Sequence, residues 1–120
     1  MSDGSSGPDF AMQLTGKWLV ATLPSDLEEE TLNRFRRKIL AKIHSRGLQK
    51  VAIDISGVRV VDSHNFENIK KTMEMISLLG ATAKLVGLSP GLITSLIALN
   101  VDTDMMDVGQ DISSIIKLRG

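Results

Sequence analysis

Asp62, Ser63 and His64 stand side by side, and a carboxylate, a hydroxyl and an imidazole are the three groups of a nucleophilic hydrolase. Their adjacency argues against that chemistry. Neighbours at the start of a helix point in different directions, whereas a catalytic histidine has to meet its serine in space and be oriented by a third group. The segment also lacks the flanking glycines of a nucleophile elbow. The other histidine, His44, lies among lysines and arginines and reads as a solvated side chain. With no cysteine in the chain, thiol nucleophiles, thiolate zinc sites and disulfides are excluded together, and two separated histidines are too few for a typical zinc constellation. Phosphate loops fare no better. Ser56-Gly57-Val58-Arg59-Val60-Val61-Asp62 offers one glycine among bulky valines, and Gly87-Leu88-Ser89-Pro90-Gly91 lacks the lysine and hydroxyl of a triphosphate loop. No catalytic residue, metal or cofactor is implied.

What remains is the pair Asp62-Ser63. Both types are favoured at helix N-caps, where either satisfies free backbone N–H groups; a cap at Ser63 would make Ser63→Ala cost about 1 kcal/mol. A serine at a strand-to-helix junction is also within reach of a kinase. Phosphate would add about −1.5 to −2 charges there. The free N–H groups and the helix dipole would tolerate it, while a partner docked beside Asp62 would be repelled. One residue can serve both purposes. A second hydroxyl pair, Thr94-Ser95, falls one turn into a later helix, where Thr94 is expected to bond its own backbone.

Several elements must position these residues. Ala11–Leu14 and Lys17–Leu23 read as strands joined at Thr15-Gly16, with Pro24 ending the second. Ser25-Asp26-Leu27-Glu28 has the pattern of a capping box, with Ser25 accepting from Glu28. Leu32, Phe35, Ile39 and Ile43 then recur at helical spacing, the basic residues Arg34, Arg36, Arg37 and Lys38 fall mostly on the solvent side, and Gly47 fits the left-handed stop. Val51–Ile55 is a short apolar run suited to a strand covered on both faces. Phe66, Ile69, Met73, Ile76 and Leu79 mark a second helix closing at Gly80, and Thr82–Val86 a further strand. Ser89-Pro90 places a capping serine before proline at the first helical position, and Asn100 is a reasonable stop for that helix. An extended piece near Met105–Val108 and a helix near Asp111–Leu118 complete an α/β chain. Alternating strands and helices imply a mixed, mostly parallel sheet with an N-terminal antiparallel hairpin and about four helices.

The bulk properties agree with a small binding domain. A length of 120 residues suits one domain, here 10–120 behind a polar segment 1–9 that reads as a disordered tail without the features of a secretory signal. Fourteen basic residues balance fourteen acidic ones, so neither nucleic acid nor a membrane surface is an expected partner. No apolar run is long enough to span a bilayer, and the cytoplasm is the default compartment. Six methionines suit adaptable packing in a core or at a contact, with Met73, Met75, Met105 and Met106 the ones of interest.

These segments together resemble the STAS domains, the sulphate transporter and anti-sigma factor antagonist family. The resemblance is carried by Lys17-Trp18-Leu19-Val20, Val51-Ala52-Ile53-Asp54-Ile55-Ser56-Gly57-Val58 and Val60-Val61-Asp62-Ser63. It continues through Leu79-Gly80-Ala81, Leu85-Val86-Gly87-Leu88-Ser89-Pro90 and Ile97-Ala98-Leu99-Asn100-Val101. Simpler antagonists follow the aspartate-serine pair with a second hydroxyl residue and a glycine. Here His64 and Asn65 take those places, as in the single-domain antagonists that form the stressosome scaffold. The resemblance implies phosphorylation at Ser63, with Ser95 as a second site standing where a threonine is usual. It also implies a partner face made by Asp62, His64, Asn65, Phe66 and Ser89. The implied partners are a serine/threonine switch kinase of the anti-sigma type, co-antagonist STAS proteins with sensory domains, a resetting phosphatase, and further copies in a scaffold. Two other roles fit the same residues: a constitutive subunit of a lipid-transporter ATPase complex, and a carrier of a small nucleotide or lipid near Ser63.

Overall fold

Thr15-Gly16 turns the chain back on itself, with Gly16 at φ 62°, and pairs strand β1 (Met12–Thr15) antiparallel with β2 (Trp18–Thr22). The computed structural model describes residues 10–58 and 61–99. Beyond the hairpin come α1 (Glu29–Arg46), β3 (Lys50–Asp54), α2 (Ser63–Leu78), β4 (Thr82–Val86) and α3 (Pro90–Ala98). The sheet order is β1-β2-β3-β4, with β2, β3 and β4 mutually parallel, so the mixed sheet with its antiparallel hairpin is as expected. Three helices lie among the described residues. The tail over 1–9, the stop at Asn100, the extended piece near Met105–Val108 and the helix near Asp111–Leu118 fall outside them.

Strand pleating sends alternate side chains to opposite faces, and both faces here are buried. Leu19, Ala21, Val51, Ile53 and Leu85 join Leu32, Phe35, Ile39 and Ile43 of α1, Phe66, Ile69, Met73 and Ile76 of α2, and Leu92 and Leu96 of α3 in the main core. Trp18, Val20, Ala52 and Val86 form a separate buried cluster. The helical spacing in α1 and α2 therefore selects the core side as the sequence implies. Leu79 is the exception. The helix ends at Leu78 and the chain turns at Gly80 (φ 89°), which leaves Leu79 half exposed and no longer on the apolar stripe.

The start of α1 differs from the expected capping box. The helix begins at Glu29, Glu28 is its N-cap without a side-chain bond, and Ser25 takes no part. Asp26 acts instead: its Oδ1 accepts from the Glu28 N–H at 3.0 Å and its Oδ2 from the Thr31 hydroxyl at 3.1 Å. Leu27 explains the shift, because its side chain is drawn into the main core and the chain must complete a turn before it can wind into a helix. At the other end Gly47, at φ 62°, donates its N–H to Ile43 and closes the helix as expected.

Arg36 of α1 turns from the solvent side toward α2. Arg36 is half-buried, and its Nε donates to Thr72 Oγ1 on α2 at 3.0 Å, while the Thr72 hydroxyl donates to the Asn68 carbonyl at 3.1 Å. This polar bridge fixes α2 against α1.

Candidate functional site

Parallel strands β3 and β4 are neighbours, so the helices that follow them, α2 and α3, both begin at the same edge of the sheet. That edge holds the aspartate-serine pair and Ser89. The two strand ends are interlocked. Ile55 N–H donates to the Val86 carbonyl at 2.9 Å, and Asp54 Oδ1 accepts from Ser56 N–H at 2.9 Å. Gly87, at φ 79°, packs so closely that a Cβ there would lie 2.6 Å from Asp54 Oδ1 and 3.1 Å from Ser56 Cβ. Only glycine meets both the left-handed backbone and the close approach. Asp54, Ser56 and Gly87 thus support the loop that leads to Ser63. Sequence reasoning assigned them no such part, although Asp-x-Ser at a strand end is a known signal for a side chain bonding the backbone two residues on.

The division of labour within the pair is now settled by geometry. Asp62 is the N-cap of α2, in extended conformation, and its Oδ1 accepts from Asn65 N–H at 2.7 Å. Its carbonyl accepts the first helical bond, from Phe66 N–H at 3.0 Å. Ser63 is the first helical residue, exposed, and its hydroxyl makes no hydrogen bond to the described residues. The cap expected of either residue belongs to Asp62, and the Ser63 hydroxyl takes no part in it. No other acidic side chain stands in the first turn of α2.

The remaining residues of the expected partner face separate into three groups. His64 is exposed beside Ser63, and Asn65 is half-buried with its N–H held by Asp62. Phe66 does not belong to the face: it is 3% exposed and sits in the main core with Val61. The two occupy the positions of a hydrophobic staple, one before the cap and one a turn inside, which set the angle at which the chain enters the helix. Burying a phenylalanine contributes about 2 kcal/mol, so this side chain is fixed by folding and unavailable to a partner. Ser89 is exposed but occupied, its Oγ accepting from Leu92 N–H at 3.1 Å as the cap expected before Pro90. Ser95, in the second turn of α3, is exposed and its hydroxyl donates to the Gly91 carbonyl at 3.1 Å, while Thr94 bonds the Pro90 carbonyl at 3.0 Å. Ser95 would have to give up that bond to react. Val60 lies outside the described residues. Among those described, no group of His, Asp or Glu is placed to hold a metal, and no helix is long and apolar enough to cross a membrane.

The STAS domain profile matches residues 9–114, nearly the whole chain. The chain belongs to the STAS domain family. A curated relative, the RsbT co-antagonist protein RsbRA of Bacillus subtilis, is 30% identical over 83 residues, which is 69% of this chain and 30% of that protein. The STAS domain here therefore spans about a third of that relative's length. Among solved structures, RsbS of Moorella thermoacetica superposes with a TM-score of 0.75 at 19% identity, covering 92% of this chain and 97% of that one. A chain from a structure titled as the molecular architecture of the stressosome, a signal integration and transduction hub, gives 0.74 at 21% identity, covering 90% and 96%. These structural likenesses establish the fold.

Proposed function

We propose that this STAS domain is a phosphorylation-switched anti-sigma factor antagonist of the stressosome type. In its unmodified form it captures a switch serine/threonine kinase in the cytoplasm, alongside co-antagonist STAS proteins and further copies of itself. The kinase phosphorylates Ser63 and is released by the charge it has added, and a phosphatase resets the site. The domain performs no catalysis in this scheme.

One observation carries the reading: the Ser63 hydroxyl is exposed and makes no hydrogen bond to the described residues at the first position of α2, while the cap is supplied next door by Asp62. Modification therefore breaks no described hydrogen bond. The added charge sits at the positive end of the helix dipole, where anions stabilise the helix by about 0.3–1 kcal/mol. The same dianion beside the Asp62 carboxylate opposes any acidic or apolar surface pressed on it, so the switch acts on the complex and spares the fold. His64 and Asn65 flank the hydroxyl and make the near edge of the contact; Asp62 contributes charge; Ser95 is a second acceptor of lower reactivity because its hydroxyl is already bonded.

The test is kinase capture. Immobilised wild-type protein retains a serine kinase of the switch class, and Ser63→Asp loses most of that retention while keeping its circular dichroism spectrum. Undiminished capture by folded Ser63→Asp would remove the switch.

A further inference from the structure

Helices α1, α2 and α3 all end at the edge of the sheet where β2, β3 and β4 begin, opposite the edge that holds Ser63. Every large apolar side chain that the described residues expose lies there. Leu14 stands beside the hairpin turn, Met75, Leu78 and Leu79 at the end of α2, and Ile97 and Leu99 at the end of α3. Single exposed leucines are ordinary on a protein surface, but their collection at one edge marks a contact. The Ser63 edge exposes none among the described residues.

This surface carries both halves of its own complement. Between the ends of α1 and α2 lies a hollow of about 320 Å³, lined by Ile43, Gly47 and Leu48 from the first and by Leu79 and Gly80 from the second. Leu78, the residue before Leu79, is 84% exposed. A protruding leucine beside such a hollow is self-complementary, because a twofold axis carries each copy's knob to the other copy's hole. Charge agrees. His44 and Arg46 stand exposed in the last turn of α1, whereas α2 and α3 have no basic residue in theirs to offset the negative ends of their dipoles. The twofold that seats Leu78 also brings the cationic end of α1 in one copy against the end of α2 in the other. We infer that this face binds a second copy of the chain, with Leu78 of each copy seated in the hollow of its partner. The inference rests on the proposed association of further copies and gives that association a surface. It puts the two Ser63 edges at the outer ends of the pair, open to a kinase.

Sedimentation velocity over a concentration series compares the full-length wild type with Leu78→Asp, and thermal melting confirms that both are folded. The chain has no cysteine, so introduced cysteines report the contact without background. Leu78→Cys is mixed with Gln49→Cys, which lies in the hollow, or with His64→Cys at the Ser63 edge, and oxidised mildly. A disulfide forms only where the two Cα atoms come within about 7 Å. The inference predicts a wild-type dimer, a dissociation constant raised about tenfold or more in Leu78→Asp at unchanged Tm, and a cross-link from position 78 to 49 but not to 64. Kinase capture by the Leu78→Asp monomer should persist, which separates this face from the switch. A wild type that stays monomeric at every concentration overturns the inference and leaves the switch standing, and a monomer that binds vesicles of anionic phospholipid gives the face to a membrane instead. A dimer equally strong in Leu78→Asp, or cross-linked from 78 to 64 and not to 49, overturns it as well.

Discussion

Removing the Asp62 carboxylate should cost more than removing the Ser63 hydroxyl, although the two residues are neighbours and both are exposed. In Asp62→Ala the Asn65 N–H loses its 2.7 Å acceptor, a cap loss of typically about 1 kcal/mol within a range of about 0.5–2. The first turn of α2 holds no other acid, so the favourable charge–dipole contact goes as well, adding about 0.3–1 kcal/mol. The sum is roughly 1–2 kcal/mol. In Ser63→Ala no described hydrogen bond is lost, and the change should stay within about 0.5 kcal/mol, as for ordinary surface sites. For a domain of this length 1 kcal/mol corresponds to about 4 °C in Tm. Asp62→Ala should therefore melt roughly 4–8 °C below wild type and Ser63→Ala within about 2 °C of it. Asp62→Asn separates the two contributions: asparagine caps as well as aspartate, so it keeps the hydrogen bond and loses only the charge. Thermal unfolding followed by circular dichroism, checked by urea titration, measures all three. Equal losses at positions 62 and 63, or a Ser63→Ala protein less stable than Asp62→Ala, would refute the assignment of the cap.

Two further outcomes follow from packing. Gly87→Ala should destabilise by about 1–3 kcal/mol in urea, from the left-handed backbone and the collision with Asp54 and Ser56, and increased amide exchange should concentrate at Ile55 and Ser56; a neutral Gly87→Ala would show that the interlock of the strand ends is slack. Thr72→Val should cost about 1–2 kcal/mol although it is nearly isosteric, because Arg36 Nε loses its acceptor in a seam where Arg36 Nη2 and Asn68 Nδ2 already lack partners. A Thr72→Val protein as stable as wild type in the same titration would mean that water serves Arg36 equally well.

Most of the architecture was legible because the signals are local and repeated. Four apolar positions at helical spacing with Gly47 behind them define α1 and its core side, and Ser89-Pro90 marks the start of α3 at the right residue with the right bond. What escaped depends on competition between neighbours. Ser25 and Asp26 are equally good caps on paper, and the burial of Leu27 decides that Asp26 is used, in a turn ahead of the helix. Leu79 continues the apolar rhythm of α2, but the helix stops one residue earlier and the rhythm loses its meaning. At the site, the pair Asp62-Ser63 was visible, whereas the choice of cap was not, since either side chain can reach a free N–H. Phe66 was placed on the partner face through the family resemblance, whereas the helical spacing that also marks it as apolar turns it inward to the core. The bracing by Asp54 and Gly87 spans 33 positions (87 minus 54) and depends on two strands lying side by side, which no local pattern reports.

The central claim is that one exposed hydroxyl at the start of α2 receives the phosphate that ends partner capture. Incubation with a serine kinase of the switch class and Mg-ATP, followed by intact-mass analysis and peptide mapping, addresses it directly. The account predicts one added phosphate located at Ser63, absent from Ser63→Ala, on a protein that retains its wild-type unfolding midpoint to within about 2 °C. A phosphate mapped elsewhere with Ser63 untouched, or a modified protein that unfolds, would contradict it.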